Sequence, residues 1–112
     1  MKFASKIDTP KATMGVSNVG TVSTNQTADF AAKGYYTYTL GGNIQITISN
    51  LVAGQRGSLS LVCSGTAART PTFVGIDAWI GGVMPTMVIN KITVVSLFND
   101  GTRVLASYGV EA

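Results

Sequence analysis

The feature of this sequence that most constrains its fold is a strict alternation of apolar and polar residues in the middle of the chain. Between residues 44 and 48 every second residue is isoleucine, and between residues 59 and 63 leucine, leucine and cysteine occupy the alternate positions. Side chains of a β-strand point alternately to opposite faces of its sheet. This period of two predicts two strands that each bury one face.

The loop between these strands, Gly54-Gln55-Arg56-Gly57, has two interpretations. A Gly-x-x-Gly loop with a basic residue can clamp a nucleic-acid backbone, but the modules that use it so place it between helices. Because both flanks here are strands, we predict a hairpin turn, with Gly54 and Gly57 at positive φ and Arg56 at its solvated tip. A ligand contact through Arg56 stays open as the alternative.

Turn residues divide the rest of the chain into further short segments. Residues 35–40 are rich in aromatic and β-branched residues and precede Gly41-Gly42, so we predict a second hairpin there. Residues 27–33 allow at most one helical turn. Residues 92–98 and 104–108 flank Asp100-Gly101, which predicts a hairpin with a type I′ turn.

Two apolar residues in succession, Val94 and Val95, interrupt the alternation of the last hairpin. They predict either a bulge or a strand that is covered on both faces, as a neighbouring subunit would cover it. The whole pattern comprises about seven or eight short strands, which is typical of a β-sandwich or small barrel. We therefore predict an all-β, antiparallel sandwich or barrel over residues 26–112, preceded by an extended arm at residues 1–25.

Composition indicates a subunit of a larger assembly. Only 12% of the residues are charged and 46% are hydrophobic, whereas soluble domains carry about 25% charged residues. A membrane protein is the competing explanation. No apolar run approaches the length of a membrane-spanning helix, and the first residues lack the apolar stretch of a signal peptide.

The basic residues at the start of the chain predict a docking arm. Lys2, Lys6 and Lys11 fall within the first eleven residues, and Phe3 and Ile7 supply apolar contacts between them. We expect this arm to lie on an acidic partner, with a solvated tail as the alternative. Elsewhere the bases are scattered, so no nucleic-acid partner is expected despite a net charge of +3.

The sequence offers little for catalysis. It contains no histidine, its acids are not paired, and its glycines fit neither a dinucleotide nor a phosphate loop. The single cysteine, Cys63, lies on the apolar phase of its strand and is predicted to be a buried small hydrophobe. We therefore expect no enzymatic activity, no metal and no cofactor.

Two groups of aromatic residues admit both a binding and a packing role. Tyr35, Tyr36 and Tyr38 would form a stacking platform for sugars or bases. Packing is the favoured role, because tyrosines on strands usually pack their rings, and Tyr36 and Tyr38 share a face with Leu40. Trp79 is expected to anchor a core or an intersubunit contact. The candidate ligand contacts are Tyr35, Tyr36, Arg56 and Arg103.

Three segments resemble a β module found in structural proteins of tailed phages. They are GGNIQITISNLVAGQRGSLSLV, WIGGVMPTM and ITVVSLFNDGTRVLASYG. The module has a turn of the NLPAG-x-x-G-T-L-T-L kind, where this chain has Val52 for proline. It continues with a W-x-GG-x-x-P-T loop and a final hairpin, where Thr93 replaces the usual aspartate. The resemblance covers about residues 41–109.

The resemblance implies a non-enzymatic virion protein that assembles as a homotrimer. Because 112 residues are too few for an attachment domain and a long shaft, a capsid-attached head fibre or decoration protein is favoured over a tail fibre. The alternatives are a small tail or adaptor protein and a module that binds host-surface carbohydrate. Expected partners are copies of the chain, capsid or other virion proteins, and a host glycan, but no membrane. The predicted oligomer interface comprises Trp79, Ile80, Met84, Val95, Leu97 and Phe98.

Overall fold

The computed structural model describes residues 15–63 and 67–111, and these residues form nine β-strands and no helix. The prediction of an all-β fold is confirmed. The strands are β1 (Val16–Val22), β2 (Gln26–Asp29), β3 (Tyr35–Leu40), β4 (Gln45–Ser49), β5 (Arg56–Cys63), β6 (Thr72–Val74), β7 (Ala78–Trp79), β8 (Ile92–Asn99) and β9 (Val104–Val110).

The first six strands alternate between two parallel sheets. β1, β3 and β5 lie side by side in one sheet, and β2, β4 and β6 lie side by side in the other. The chain therefore winds through three coils, and each coil contributes one strand to each sheet. This arrangement is that of a short β-solenoid.

The predicted antiparallel sandwich or barrel is therefore wrong. The glycines at residues 41–42 and the loop at residues 54–57 do not close hairpins but carry the chain from one sheet to the other. Gly41 N donates to Val22 O of the preceding coil at 2.8 Å. A period of two records only which face of a strand is buried, so it cannot distinguish these topologies.

The last third of the chain extends the first sheet with antiparallel strands. β8 pairs with β5 and with β9, and the short β7 pairs with β9 in parallel, which gives the order β1-β3-β5-β8-β9-β7. The predicted final hairpin is confirmed, but its predicted turn type is wrong. A type I′ turn needs two residues with positive φ, and here only Gly101 has one, while Asp100 N donates to Arg103 O at 3.1 Å.

The irregularity predicted at Val94 and Val95 is absent from β8. Its register with β5 and β9 is continuous, and buried and exposed residues alternate without interruption from Ile92 to Leu97. Thr93 occupies an inward position of β8, which its polar side chain did not indicate, and it is fully buried. Val94 points outward and is 38% exposed, so the second face of this strand is open to solvent in the single chain.

Two asparagines connect successive coils at the same corner. Gln45 N donates to Asn25 Oδ1 at 2.9 Å, and one coil later Thr70 N donates to Asn43 Oδ1 at 2.8 Å. Each asparagine side chain thus supplies a hydrogen-bond acceptor for a backbone N–H at a corner, where no strand of the sheet supplies one. The repetition of this contact keeps the coils in register.

The inward-facing residues of both sheets form one apolar core. Cys63 belongs to it and is buried, as predicted. Partly buried Phe73, Ile76, Trp79 and Val104 pack against its rim. The buried members are Val22, Ala28, Phe30, Tyr36, Tyr38, Leu40, Ile44, Ile46, Ile48, Leu51, Leu59, Leu61, Cys63, Met87, Val95, Leu97 and Ala106.

Phe30 packs directly on the backbone of β5 at Gly57. A Cβ atom at Gly57 would lie 2.4 Å from the Phe30 ring, which is fully buried and meets Tyr36 edge-on at 5.5 Å. Of the two loop glycines, only Gly54 has a positive φ. Gly57 is therefore required for close packing and not for the turn, and Phe30 itself lies in a turn after β2 where one helical turn had been predicted.

The boundary predicted for the N-terminal arm differs from the structure. Residues 1–14 lie outside the described residues, but residues 16–22 form β1, which pairs with β3 along the edge of the larger sheet. The β module therefore begins before residue 26.

We expect Gly57→Ala to lower the free energy of unfolding by about 1–3 kcal/mol, because the new methyl group overlaps the buried Phe30 ring. Gly109→Ala is the matched control, since Gly109 is also in a strand and a Cβ there meets nothing within 4 Å. Urea denaturation of both variants measures the difference. Equal stabilities of the two variants would contradict the packing argument.

We expect stability to fall at high pH because Tyr38 is buried. Burial, with a smaller contribution from Tyr36, raises the pKa of Tyr38 to about 12. The unfolded chain releases this proton near pH 10, so the stabilisation is complete below pH 10 and is lost between pH 10 and about 12. The slope reaches about 1.4 kcal/mol per pH unit for one proton.

Tyr38→Phe tests the origin of this slope. Its hydroxyl has no hydrogen-bond partner among the described residues, so removing it leaves no donor or acceptor unpaired. The variant should be at least as stable as the wild type at pH 8 and lose less stability by pH 11.5 in urea titrations. An unchanged slope would assign the effect to other groups.

Candidate functional site

The outer face of the larger sheet is rich in small hydroxylated side chains. The residues that alternate with core positions are Thr37 and Thr39 in β3, Ser58 and Ser60 in β5, Ser96 in β8 and Ser107 in β9. They lie in register across the strands, so that Tyr35, Ser58, Ser96 and Ser107 form one row. The outward side chains of β5, β8 and β9 in this row are small and uncharged.

A second row on the same face carries a charge and larger side chains. Arg56 lies beside Phe98, and Phe98 lies beside Leu105. The Arg56 guanidinium sits over the Phe98 ring at 4.8 Å from its centroid. This cation–π contact positions the guanidinium above the Phe98 ring.

A shallow cavity of about 190 Å³ opens where the two rows meet. Arg56 contributes its charge, and Ser96 and Ser107 contribute two hydroxyls that face each other across β8 and β9. Ile80 closes one side from the loop after β7. The full lining is Arg56, Ile80, Ser96, Leu97, Phe98, Leu105, Ala106 and Ser107.

Arg56 makes no ion pair or side-chain hydrogen bond with any residue in the described ranges 15–63 and 67–111. Its five N–H donors are therefore available at the cavity. A guanidinium of this kind favours planar, bidentate partners such as a carboxylate or a phosphate. The site is thus built for an anionic group flanked by hydroxyl and apolar surface.

The loop that presents Arg56 is held by amide side chains. Gln55 Nε2 donates to Phe30 O at 2.8 Å, and Gln55 Oε1 accepts from Val52 N at 3.0 Å. Asn99 Nδ2 donates to Leu51 O at 2.7 Å. These bonds join the loop to the turn after β2 and to the β8–β9 hairpin, so Arg56 stands on a fixed frame.

Asp29 and Asn50 hold the other end of this loop. Asn50 has a positive φ of 59°, and its Nδ2 donates to Asp29 Oδ1 at 2.9 Å, as does Ala31 N. The hydrogen bond from Asn50, followed by that from Ala31, lowers the pKa of Asp29 below its usual value. The charged carboxylate is therefore the form that fits the loop.

The structure separates the predicted ligand contacts. Tyr35 and Arg56 lie near each other on the outer face, but Tyr36 is buried, and its hydroxyl donates to Asp29 O at 2.5 Å. Its ring also stacks on Tyr38 at 6.2 Å, and burial raises its pKa. The prediction for Tyr36 is therefore wrong, while Arg103 is exposed in the β8–β9 turn and does not line the cavity.

The predicted interface residues also divide into two groups. Val95 and Leu97 are 0% and 2% exposed in the core of the single chain, so they offer no surface to a partner and their prediction is wrong. In the apolar run from Ile92 to Phe98, both faces of the strand carry apolar residues, so the sequence does not show which face packs inward. Ile80 and Met84 are 60% and 44% exposed, as an interface requires.

The two aromatic residues of the predicted interface are partly buried by their own chain. The Trp79 ring meets Phe73 at 5.4 Å and Tyr108 at 6.3 Å, both edge-on. Phe98 lies beneath Arg56. The predicted docking residues of the arm, Lys2, Phe3, Lys6, Ile7 and Lys11, lie outside the described residues.

The loop after β7 presents its apolar side chains to solvent. Ile80, Val83, Met84 and Val88 are between 44% and 60% exposed, whereas Pro85 and Met87 in the same loop are buried and fix it to the core. Gly81 and Gly82 have positive φ values. We call Ile80, Val83, Met84 and Val88 the exposed apolar loop.

Sequence reasoning missed Ser96 and Ser107 as lining residues. Each lies on the outward phase of its strand, as do Ser58 and Ser60. Serines on one phase of several strands were a detectable signal, but their alignment into rows depends on strand order. That order became known only with the sheet topology.

No group of three or more histidine, cysteine, aspartate or glutamate residues in the described part of the chain is arranged to hold a metal ion. The same residues include no helix with the length and hydropathy needed to cross a membrane. Comparison with family models, with curated proteins and with solved structures finds no match to this chain.

We expect Asp29→Ala to destabilise the protein more at pH 7 than at pH 2. The lowered pKa means that the charged carboxylate contributes stability above its unfolded-state value of 3.8, and this contribution is lost as the pH falls. Thermal unfolding of both proteins at the two pH values measures it. A deficit of equal size at pH 2 would mean that the charge is not involved.

Proposed function

We propose that this chain is a non-enzymatic structural protein of a phage virion that assembles with copies of itself. A head fibre or capsid decoration protein that forms a homotrimer is the favoured form. The observation that carries this proposal is the exposed apolar loop, because three of its four residues, Ile80, Val83 and Met84, lie in the WIGGVMPTM segment of the resemblance to phage structural modules.

Exposure of these side chains is costly unless a partner covers them. Ile80 and Val83 are each 60% exposed and Val88 is 46% exposed. Full burial of one such side chain contributes about 1.5–3 kcal/mol, so a few of them supply a useful part of an interface energy. Since buried Pro85 and Met87 fix the loop, little additional ordering opposes the contact.

The outward face of β8 offers a second apolar surface for the same role. Ile92 and Val94 point away from the core and are 42% and 38% exposed. A neighbouring copy that packs on this face would cover both residues. In a closed trimer each copy would contact its two neighbours through two different surfaces. The exposed apolar loop of one copy would pack on the outward face of β8 of the next.

Light scattering after size-exclusion chromatography tests the self-association. We expect the native protein at micromolar concentration to have about three times its monomer mass of 11.6 kDa. The double variant Val83→Asp with Met84→Asp places charges in the interface and should yield monomers. Val52→Asp is the control, because Val52 is 63% exposed but lies in the β4–β5 loop.

A native protein that is monomeric throughout would contradict the proposed trimer. Loss of assembly in Val52→Asp to the same degree as in the double variant would show that the exposed apolar loop is not the contact. A folded circular-dichroism spectrum for each variant is the necessary control for both results.

The place of the protein on the particle separates the favoured role from the small tail or adaptor alternative. Gold labelling of intact particles should mark the head for a head fibre or decoration protein and the tail for the alternative. The docking arm is tested by deleting residues 1–14, which spares β1. Deletion of residues 1–25 would remove a strand of the larger sheet and would confuse loss of docking with loss of folding.

A further inference from the structure

We propose that the cavity beside Arg56 binds an acidic sugar through its carboxylate. The cavity lies on the outer face of the larger sheet and is lined by Arg56, Phe98, Leu105, Ile80, Ser96 and Ser107. This inference gives a chemical class to the glycan that is the second candidate partner of this chain. It depends on neither the virion location nor the trimer.

The charge of Arg56 selects an anion. Its guanidinium has no hydrogen-bond or ion-pair partner among the described residues, and its central carbon lies 4.8 Å from the centroid of the Phe98 ring. The nearest acid along the hairpin, Asp100, is already engaged by Thr102 N and Arg103 N at 2.9 and 2.8 Å. A carboxylate from a ligand matches the fork of N–H donors with two parallel hydrogen bonds.

The remaining surface of the cavity matches a sugar ring. Ser96 and Ser107 face each other in register, and Ser58 continues their row toward Tyr35. Their hydroxyls both donate and accept, as recognition of ring hydroxyl groups requires. Leu105 and Ile80 supply apolar surface for the C–H groups of the ring.

Size limits the ligand to one residue of a glycan. The cavity volume of about 190 Å³ is smaller than the roughly 300–1,000 Å³ typical of sites for drug-sized ligands. One carboxylated monosaccharide unit suits this volume, and the open side of the cavity allows the rest of a chain to extend along the hydroxyl rows.

The fixed frame around Arg56 favours binding of a small ligand. Gln55 and Asn99 hold the loop to the rest of the chain through backbone carbonyls, and Phe98 holds the guanidinium. Preorganisation of this kind reduces the conformational entropy that binding must overcome. Weak but saturable binding of a monosaccharide is the expected result.

The test is a titration of ¹⁵N-labelled full-length protein with D-galacturonate, followed by amide chemical shifts. D-galactose has the same ring without the carboxylate, and acetate has the carboxylate without the ring. We expect saturable shifts at Ser96, Phe98 and Ser107 with galacturonate, and at least about tenfold weaker binding of either fragment.

Arg56→Gln should weaken galacturonate binding by about tenfold or more, because it removes the charge and the fork of donors. Arg103→Gln is the matched control, since Arg103 is an exposed arginine outside the cavity. The affinity of this variant for galacturonate should differ from that of the wild type by less than about twofold. Arg56→Lys should lie between them, because lysine keeps the charge without the bidentate geometry.

Three results would overturn the proposal. They are shifts that do not saturate, affinity unchanged in Arg56→Gln, and acetate binding as tightly as galacturonate, which would leave no role for the sugar ring. The titration is repeated on the Val83→Asp, Met84→Asp double variant. Binding by this variant would support the cavity whatever the oligomeric state, so failure of the trimer and failure of the site are separate outcomes.

Discussion

The close approach of Phe30 to Gly57 is the contact on which much of this structure depends. The ring fills the corner between the two sheets and lies on a backbone position where no side chain fits. The backbone carbonyl of Phe30 accepts a hydrogen bond from the side chain of Gln55. Gln55 in turn shapes the loop before β5. Arg56 follows directly, so the residue that carries the charge of the cavity is placed by the same packing that closes the core.

The larger sheet serves two purposes because its two faces differ. Inward positions of β3, β5 and β8 bury aromatic and aliphatic side chains, whereas outward positions carry serine, threonine and a few apolar residues. A solenoid stacks equivalent positions of successive coils, so the outward threonines of β3 and serines of β5 form a hydroxyl-bearing surface.

The two proposals meet at Ile80. This residue belongs to the exposed apolar loop and also lines the cavity beside Arg56. A copy of the chain that packs on the loop would lie close to the cavity and would either complete its wall or narrow its entrance. Under the two proposals, self-association and ligand binding would share this one side chain.

The sequence by itself determined the all-β class, the faces of β3 to β5 and the final hairpin, because alternation and turn residues act locally. It also identified Arg56 and the exposed Ile80 and Met84 as surface residues. Only the tertiary structure decided that the early strands run parallel in coils, since a strand has the same period whichever neighbour it pairs with. The tertiary structure likewise decided that Gly57 makes room for Phe30 and that Ser96 and Ser107 meet at the Arg56 cavity, because each depends on contacts between residues far apart in the chain.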